Sequence, residues 1–239
     1  NVHAMSSSVS STLPAAPSFG MFHLVQGCLL AFTAGFVDVV GFCALFGLFT
    51  AHVTGNFVMI GVELAGSGQG VLAKLLALPV FVLAVASTKL TVEAVVRHGR
   101  EPTRLLLLTE ALLLVTFMTA GLLALPIQSA DNPATIVVGL IGVAAMGVQN
   151  AKARIVLSDH APTTIMTGNT TQVVIDLVEL ATPGSTQKSA SRARLRKMVP
   201  PLIGFATGAM LGALAFSAVS FWCVLPPIFI LTGLAAASR

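Results

Sequence analysis

The sequence predicts an all-α integral membrane protein with about six transmembrane helices, and three observations support this fold class. Hydrophobic residues make up 55% of the 239 residues and charged residues only 9%, whereas charged residues approach a quarter of a typical soluble domain. The chain contains six long apolar stretches, each close to the roughly 20 residues that cross about 30 Å of hydrocarbon as a helix. A polar motif also occurs once in each half of the chain, which indicates an internal duplication.

The apolar stretches lie at residues 24–46, 71–95, 105–125, 134–155, 199–219 and 221–237. We assign them to a single transmembrane domain, residues 21–239, with repeat one at about 24–125 and repeat two at about 134–237. Residues 1–20 are rich in Ser, Pro and Ala and lack the basic opening of a signal peptide. We therefore expect them to form a flexible polar tail.

The duplicated motif is T-x3-T-G-N-x6-[E/D]-L, found at residues 50–64 and again at 163–177. Each copy lies between two apolar stretches and is shorter and more polar than its neighbours, so we predict two short re-entrant or half helices. Thr or Asn can cap a helix start, and Gly allows a turn there. In transporters built from repeats, paired polar interruptions of this kind point to the binding site.

The distribution of basic residues favours six spans over eight. If both motif segments crossed the membrane, the basic cluster at residues 188–197 would lie opposite Arg97 and Arg154. With six spans, eleven of the 13 Lys and Arg residues share one side, as the positive-inside rule requires: Arg97, Arg100, Arg104, Lys152, Arg154, Lys188, Arg192, Arg194, Arg196, Lys197 and Arg239. We therefore expect an inner (plasma) membrane protein with both termini in the cytoplasm, and residues 187–198 as a cytoplasmic loop that touches anionic lipid headgroups.

Three spans in each repeat would place the second repeat upside down relative to the first. One motif then dips into the membrane from outside and the other from the cytoplasm, and the two helix starts converge near the bilayer midplane. The similarity extends to residues 34–38 and 146–150, which pairs Asp38 with Asn150. The predicted architecture is therefore two inverted three-helix repeats.

Three segments resemble the YoaK-like family of multi-span membrane proteins, a bacterial domain of unknown function. They are AGFVD at 34–38, LFTAHVTGN at 48–56 and PTTIMTGNTTQ at 162–172. The resemblance covers roughly residue 24 to the C-terminus. It implies an integral inner-membrane protein with about six spans, and it supplies neither a substrate nor catalytic residues.

Asp38 is the strongest candidate for a functional residue, because it lies mid-way along the first span. An ionised carboxylate there costs at least about 2.5 kcal/mol. Its counterpart Asn150 is neutral, so the pattern suits one proton or cation site rather than two. A structural role is the alternative, either as an ion pair with Lys89 or as a protonated acid hydrogen-bonded to Thr54 or Asn169.

Glu63 and Asp176 each follow the motif Asn by seven residues, about two helical turns, so each shares a helix face with that Asn. Such a face can line a path through the bundle; alternatively, each carboxylate reaches the headgroups and faces water. The predicted solute-binding residues are Asp38, Thr50, Thr54, Gly55, Asn56, Glu63, Asn150, Thr163, Thr167, Gly168, Asn169 and Asp176.

The remaining polar residues are expected to have structural roles. Four charged side chains near helix ends should extend towards the headgroups: Lys74, Lys89, Glu93 and Glu110. His52 has Ile165 opposite it in the second copy, so we expect a lone polar contact. A small-x3-small stripe predicts close helix packing, within the chain or with a second protomer: Gly204, Gly208 and Gly212.

The expected function is a small secondary transporter or channel-like facilitator for a small polar or anionic solute. The alternative is a non-transporting membrane scaffold or assembly subunit in which the motifs are helix caps. H-E-x-x-H, G-x-S-x-G and Walker motifs are absent from the sequence, so we expect no enzymatic activity. The three Cys residues are expected to be buried free thiols, with no metal and no cofactor. Membrane lipids and the solute are the expected partners; nucleic acid is not expected, and homo-oligomerisation is left open.

Overall fold

The computed structural model of the protein describes residues 20–66, 68–157 and 166–238. This part of the chain is helical and contains no strand. The helices agree with the apolar stretches and with the predicted all-α class: α1 Met21–Ala44, α2 Gly55–Ala65, α3 Val71–Arg97, α4 Thr103–Leu123, α5 Pro133–Ile155, α6 Met166–Ala181, α7 Lys188–Val219 and α8 Leu225–Ala237.

Five segments of the described chain are long and apolar enough to cross a membrane: Met21–Ala44, Val71–Arg97, Thr103–Leu123, Pro133–Ile155 and Lys188–Ala237. The helices that follow the two motifs are not among them. With 11 residues in α2 and 16 in α6, they extend about 16 and 24 Å, less than the roughly 30 Å of a hydrocarbon layer. The described parts of both motif helices are therefore shorter than a span; α6 is described from Met166 onwards, and residues 158–165 before it lie outside the described residues.

The last candidate span contains two helices, because the chain reverses direction after α7. Ser220 has a positive φ of 52° and begins a short 3-10 helix, Ser220–Val224, that leads into α8. Leu214 of α7 and Phe229 of α8 line the same groove, and α8 also packs along α4. The fifth and sixth apolar stretches are therefore antiparallel helices joined by a tight turn, as the sequence predicted.

The basic segment at residues 187–198 is not a loop, and that expectation was wrong. It forms the first three turns of α7, which begins at Lys188. Ala, Leu, Lys and Arg are strong helix formers, and the first helix-breaking residue after Lys188 is Pro200. The helix therefore begins about ten residues before the apolar stretch does.

The α1 and α7 helices pack in parallel at backbone contact distance. A Cβ added to Gly204, Gly208 or Gly212 would lie 2.2 to 2.8 Å from a backbone carbonyl oxygen of α1. The three oxygens belong to Cys28, Phe32 and Phe36, so both helices advance four residues from one contact to the next. The glycine stripe thus packs within the chain.

The α5 helix joins the two halves of the molecule. It packs on α3, where a Cβ on Gly147 would lie 2.7 Å from the Cβ of Ala84. It runs antiparallel to α1: Gln149, late in α5, donates a hydrogen bond to the carbonyl of Leu30, whereas a Cβ on Gly139, early in α5, would meet the side chain of Leu45, beyond the end of α1. The first helix of each half therefore runs in the opposite direction to the other.

Candidate functional site

Asp38 is buried, with 5% of its surface exposed, and it receives hydrogen bonds from the loop that follows α1. Its Oδ1 accepts from the backbone N–H groups of Thr50 at 2.8 Å and Ala51 at 2.7 Å. Backbone donors of this kind stabilise the ionised form of a carboxylate. Lys89, the ion-pair partner proposed from the sequence, instead pairs with Glu93 one turn along α3.

His52 completes the surroundings of Asp38. Its Nδ1 lies 2.6 Å from Asp38 Oδ2, and its ring meets that of Phe205 on α7 edge to face, with the centroids 5.2 Å apart. The Asp38 hydrogen bond raises the pKa of His52, which lies in a loop outside the candidate spans. The expected lone polar contact of His52 is confirmed, and the contact is with Asp38.

The loop between α1 and α2 re-enters the helix bundle. Asp38 lies six residues before the end of α1, about 9 Å along the helix axis, yet the loop residues bond to it. Thr50 is fully buried, and its methyl group lies close to Gly41 of α1 and Gly142 of α5, both of which lack a side chain at the contact. The first motif therefore begins at the level of Asp38, inside the end of α1.

Asn56 holds the start of this loop rather than capping α2. Its side-chain Oδ1 accepts from the N–H of Phe49, and its Nδ2 donates to the carbonyl of the same residue, both at 2.9 Å. Thr54 precedes α2 but its side chain makes no capping hydrogen bond. The sequence thus located the helix start at Gly55 correctly, but the expected capping role of Thr54 and Asn56 was wrong.

The second motif begins outside the described residues. Thr163 lies there, so its predicted place in the site is not described. Asn169 and Asp176 lie on the buried face of α6, as the seven-residue spacing predicted. Thr167 and Gly168 are exposed, and Thr167 is one of three threonines beside an open groove of about 540 Å³ on α6.

Glu63 forms an ion pair with Lys74 at the start of α3. The Lys74 Nζ lies 3.5 Å from Glu63 Oε1 and donates at 2.9 Å to the carbonyl of Phe46. The side chain of Lys74 is buried, so the expectation that it extends to the outer headgroups was wrong. The lysine joins α3 to α2 and to the residues that follow α1, and its Nζ lies beside Gly70, where an added Cβ would be 3.1 Å away.

Asp176 forms the corresponding pair in the second half. The Arg194 guanidinium on α7 donates through Nε at 3.0 Å and through Nη2 at 2.5 Å to Asp176 Oδ1. These bonds hold the pKa of Asp176, on a helix outside the candidate spans, below its usual value. In both halves, then, the motif carboxylate is bound by a cation near the start of the next helix. The side chain of Asp176 is fully buried, and that of Glu63 is 17% exposed.

Asn150, the predicted counterpart of Asp38, is half-buried on α5. Its Nδ2 donates to the carbonyl of Met146, one turn earlier in α5. Two residues further along α5, Lys152 is fully buried. Its Nζ donates a hydrogen bond at 2.5 Å to the carboxylate of Glu110 on α4. The expectation that Glu110 extends towards the headgroups was therefore wrong.

The structure brings Asp38, Thr50 and Asn56 together around one re-entrant loop, and it places Asn169 and Asp176 on α6 against α7. Sequence reasoning missed four cations as binding partners: His52, Lys74, Lys152 and Arg194. A signal existed for Lys74, since its partner Glu63 lies only 11 residues earlier in an apolar context, whereas the partner of Lys152 lies 42 residues away in the sequence. In the described part of the chain, no three His, Cys, Asp or Glu side chains are grouped as metal ligands.

The cysteines differ in their exposure. Cys223 is buried, Cys28 is half-buried and Cys43 is exposed, and all three are free thiols. The expectation that all three are buried was therefore wrong for Cys43. It lies at the last turn of α1, where the helix face turns away from the bundle.

Comparisons with known proteins agree with this description. The family described as "Protein of unknown function (DUF1275)" matches residues 26–237. The chain is 28% identical over 209 residues to the UPF0700 transmembrane protein YoaK of Bacillus subtilis (strain 168), covering 86% of this chain and 89% of that protein. No solved structure matches. The resemblance seen in the sequence is confirmed: the chain is a multi-span membrane protein that belongs to the DUF1275 family, whose function is unknown.

Proposed function

We propose that the protein is a small secondary transporter or channel-like facilitator for a small polar or anionic solute. The observation that carries the proposal is the Asp38–His52 pair: a buried carboxylate within a candidate span, bound to an imidazole that is 36% exposed. Ionisable groups within spans are costly to insert and commonly mark solute or proton pathways. In this proposal, both termini are cytoplasmic and the pair lies beside the solute path.

An inverted pair of three-helix repeats forms part of the proposal, and the helix packing supports it. The α1 and α5 helices are antiparallel, whereas an eight-span arrangement would make them parallel. The first helix of each half packs on the long helix after the motif of the other half: α1 on α7, and α5 on α3. Gly35 of α1 approaches the carbonyl of Phe205, and Gly147 of α5 approaches that of Phe81. Transporters with inverted repeats bind solutes near the midplane, between the repeats.

The solute site is proposed between the starts of the two motif helices. The re-entrant loop supports this for the first motif, because it brings Thr50 and His52 to the level of Asp38. In the second motif, the exposed Thr167 and its neighbouring threonines supply hydroxyl groups beside α6. Hydroxyl, imidazole and carboxylate groups can together bind a small polar solute by hydrogen bonds.

A second candidate function, a non-transporting scaffold or assembly subunit, has its own support. The side-chain oxygen and nitrogen of Asn56 both form hydrogen bonds with the backbone of Phe49, and the carboxylates of Glu63 and Asp176 are both in ion pairs. If every polar group of the motifs serves the fold, the chain needs no solute to explain them. The two candidates differ in whether Asp38 must be charged.

The test uses the full chain in liposomes and a panel of radiolabelled small polar and anionic solutes. The variant Asp38→Asn keeps an oxygen that accepts from Thr50 and Ala51 but removes the charge. We expect wild-type uptake above that of empty liposomes, and at least tenfold lower uptake for Asp38→Asn. Glu93→Gln is the matched control, because Glu93 is a carboxylate in a largely exposed pair on α3.

Uptake by the wild type that never exceeds that of empty liposomes would favour the scaffold. Equal uptake by wild type and Asp38→Asn would show transport without a role for the Asp38 charge. Circular dichroism and size-exclusion chromatography of each variant in detergent establish that the protein is folded before uptake is compared.

A further inference from the structure

Glu110 and Lys152 form an ion pair that is fully enclosed by the protein. Glu110 lies in α4 and Lys152 in α5, both within candidate spans, and both side chains are 0% exposed. The Lys152 Nζ donates to Glu110 Oε2 at 2.5 Å. The other carboxylate oxygen, Oε1, is buried and has no hydrogen-bond partner among the residues that the structure describes.

A contribution to the stability of the fold does not by itself explain why a buried ion pair stands at this position. A buried ion pair loses the hydration of both ions, and a well-packed apolar pair of similar volume is often as stable or more so. An ionised carboxylate can accept hydrogen bonds at both oxygens, but Glu110 receives one at Oε2 alone. The unpartnered Oε1 is an acceptor position on which a proton can reside.

In the described part of the chain, few other charges lie near Glu110. The helices that pack on α4 there are α5 and α8, together with the short 3-10 helix, whose titratable side chain is the buried thiol of Cys223. Residues 220–237 contain no Asp, Glu, Lys, Arg or His, and Lys152 is the charged residue of α5 that contacts Glu110. A change in the protonation of Glu110 therefore acts directly on its bond to Lys152.

The pair is linked to α1 through α5. Gln149 lies one turn before Lys152, is fully buried and donates a hydrogen bond at 2.7 Å to the carbonyl of Leu30. Asp38 lies eight residues after Leu30 on α1, about 12 Å along the axis. Buried polar groups thus continue from α4 through α5 to the helix that holds Asp38.

We propose that Glu110 is a proton-binding site within the membrane spans, and that H⁺ is the ion coupled to solute movement. Without the proton, the carboxylate and the Lys152 ammonium have a net charge of zero. Hydronium transfers its proton to Oε1 and becomes water, which gives a carboxylic acid beside the ammonium and a net charge of +1. The same O–H bond breaks when the proton is transferred back to water on the other side, which becomes hydronium and leaves the carboxylate. The coupling rests on the proposed transport function; the proton site does not.

The proton site is tested by infrared difference spectroscopy of the full chain in lipid bilayers, between acidic and alkaline buffer. We expect a protonated-carboxyl band that Glu110→Gln abolishes. Glu93→Gln is the control and should keep the band. Because Glu110→Gln leaves Lys152 buried without a counter-charge, the uncharged pair E110L with K152M is measured as well. It keeps the packing and should also lack the band. A band unchanged in both variants would overturn the proton site.

The coupling is tested in liposomes with an imposed pH gradient and the solute that the wild type takes up most. We expect the gradient to raise wild-type uptake at least fivefold and to have no effect on the E110L/K152M protein. Uptake by the wild type that ignores the pH gradient would overturn proton coupling and leave the proposed transport function standing. Absence of any uptake would remove both, whereas the infrared result would still decide whether Glu110 binds a proton.

Discussion

Asn56 closes a ring with Phe49, seven residues earlier, by accepting from its N–H and donating to its carbonyl. A side-chain amide thus satisfies both backbone groups of one residue in the loop that approaches Asp38. The bond pattern explains why an Asn is useful in the T-G-N motif: no other side chain of its length offers a donor and an acceptor side by side.

The first prediction is that Asn56→Ala destabilises the protein. Two hydrogen bonds are lost and the partly buried backbone of Phe49 is left without partners, so we expect a loss of about 2 kcal/mol. Thermal unfolding in detergent measures it. The stability of Asn56→Asp should lie between those of the wild type and Asn56→Ala, since Asp keeps the acceptor and loses the donor. Thr116→Ala is the control, because the exposed Thr116 side chain bonds to its own helix. Equal melting temperatures for Asn56→Ala and wild type would show that the ring is dispensable.

The second prediction concerns the contact between α1 and α7. In Gly208→Ala the new Cβ would lie 2.2 Å from the carbonyl oxygen of Phe32, so the helices must separate, at a cost of about 3 kcal/mol. Gly233→Ala is the matched control, because a Cβ at this mid-helix glycine of α8 meets nothing within 4 Å. It should be neutral or stabilising by up to about 1 kcal/mol. Similar melting temperatures for the two variants would argue against the close packing.

The third prediction follows from the pKa of Asp176, which Arg194 lowers. A carboxyl group whose pKa is lower in the folded than in the unfolded protein stabilises the fold at a pH above its unfolded pKa of about 3.9. This contribution is lost as the pH falls through the pKa of the folded state. We expect wild-type stability to fall more steeply than that of Arg194→Gln when the pH is lowered from about 5 to about 3. Unfolding at each pH measures it, with Arg192→Gln on the exposed side of α7 as the control. Parallel curves for wild type and Arg194→Gln would contradict the pairing.

The fourth prediction concerns His52, whose pKa is raised by its hydrogen bond to Asp38, so that its effect on stability has the opposite pH dependence to that of Asp176. The contribution of the pair is complete below the unfolded His value of about 6.5 and is lost as the pH rises through the native pKa. The wild type should therefore be more stable at about pH 6 than at about pH 9, and His52→Gln should lose most of that difference. His98→Gln, at the exposed end of α3, should behave as wild type. A pH dependence that survives in His52→Gln must come from another group.

The fifth prediction is topological. In a chain without its three native cysteines, single cysteines at Ser189, Arg100 and Gln128 should report the sides of the membrane. All three positions are exposed and lie outside the apolar stretches. With six spans, the first two react with a membrane-impermeant reagent from one side and the third from the other. Reaction of Ser189→Cys and Arg100→Cys from opposite sides would require the α6 segment to cross the membrane and would contradict six spans.

Helix positions followed well from the sequence, whereas the partners of the charged side chains did not. An apolar stretch long enough to cross lipid has few alternatives to a helix, so the bounds of α3 and α5 were nearly fixed by composition. The partner of Lys152 depends on which face of α5 meets α4, and a single sequence does not contain that rotation. The expectation that charged residues near span ends extend towards headgroups therefore failed for Lys74 and Glu110, which are buried, whereas Lys89 and Glu93 form a largely exposed pair on α3.

In the candidate site, too, the helix positions could be predicted from the sequence and the partners of the polar side chains could not. The T-G-N spacing placed the start of α2 and the shared face of Asn169 with Asp176 correctly, because these are properties of one helix. The partners of Asp38 lie in a loop that turns back on the helix before it, and that turn depends on space left by Gly41 and Gly142. The gap that Gly41 and Gly142 leave for the side chain of Thr50 is formed by two separate helices, so it is visible only when the positions of both helices are known.

The pairing of α1 with α7 also constrains the order in which the protein assembles. During synthesis α1 is made first, but the helix whose glycines fit its backbone is completed only after most of the chain. Until then the carbonyl groups along Cys28, Phe32 and Phe36 face lipid or the insertion machinery rather than their final neighbour. A truncated chain that ends before α7 would hold the Asp38 loop without the Phe205 ring against which His52 rests. The first helix of each half therefore finds its main packing partner in the other half, α1 on α7 and α5 on α3.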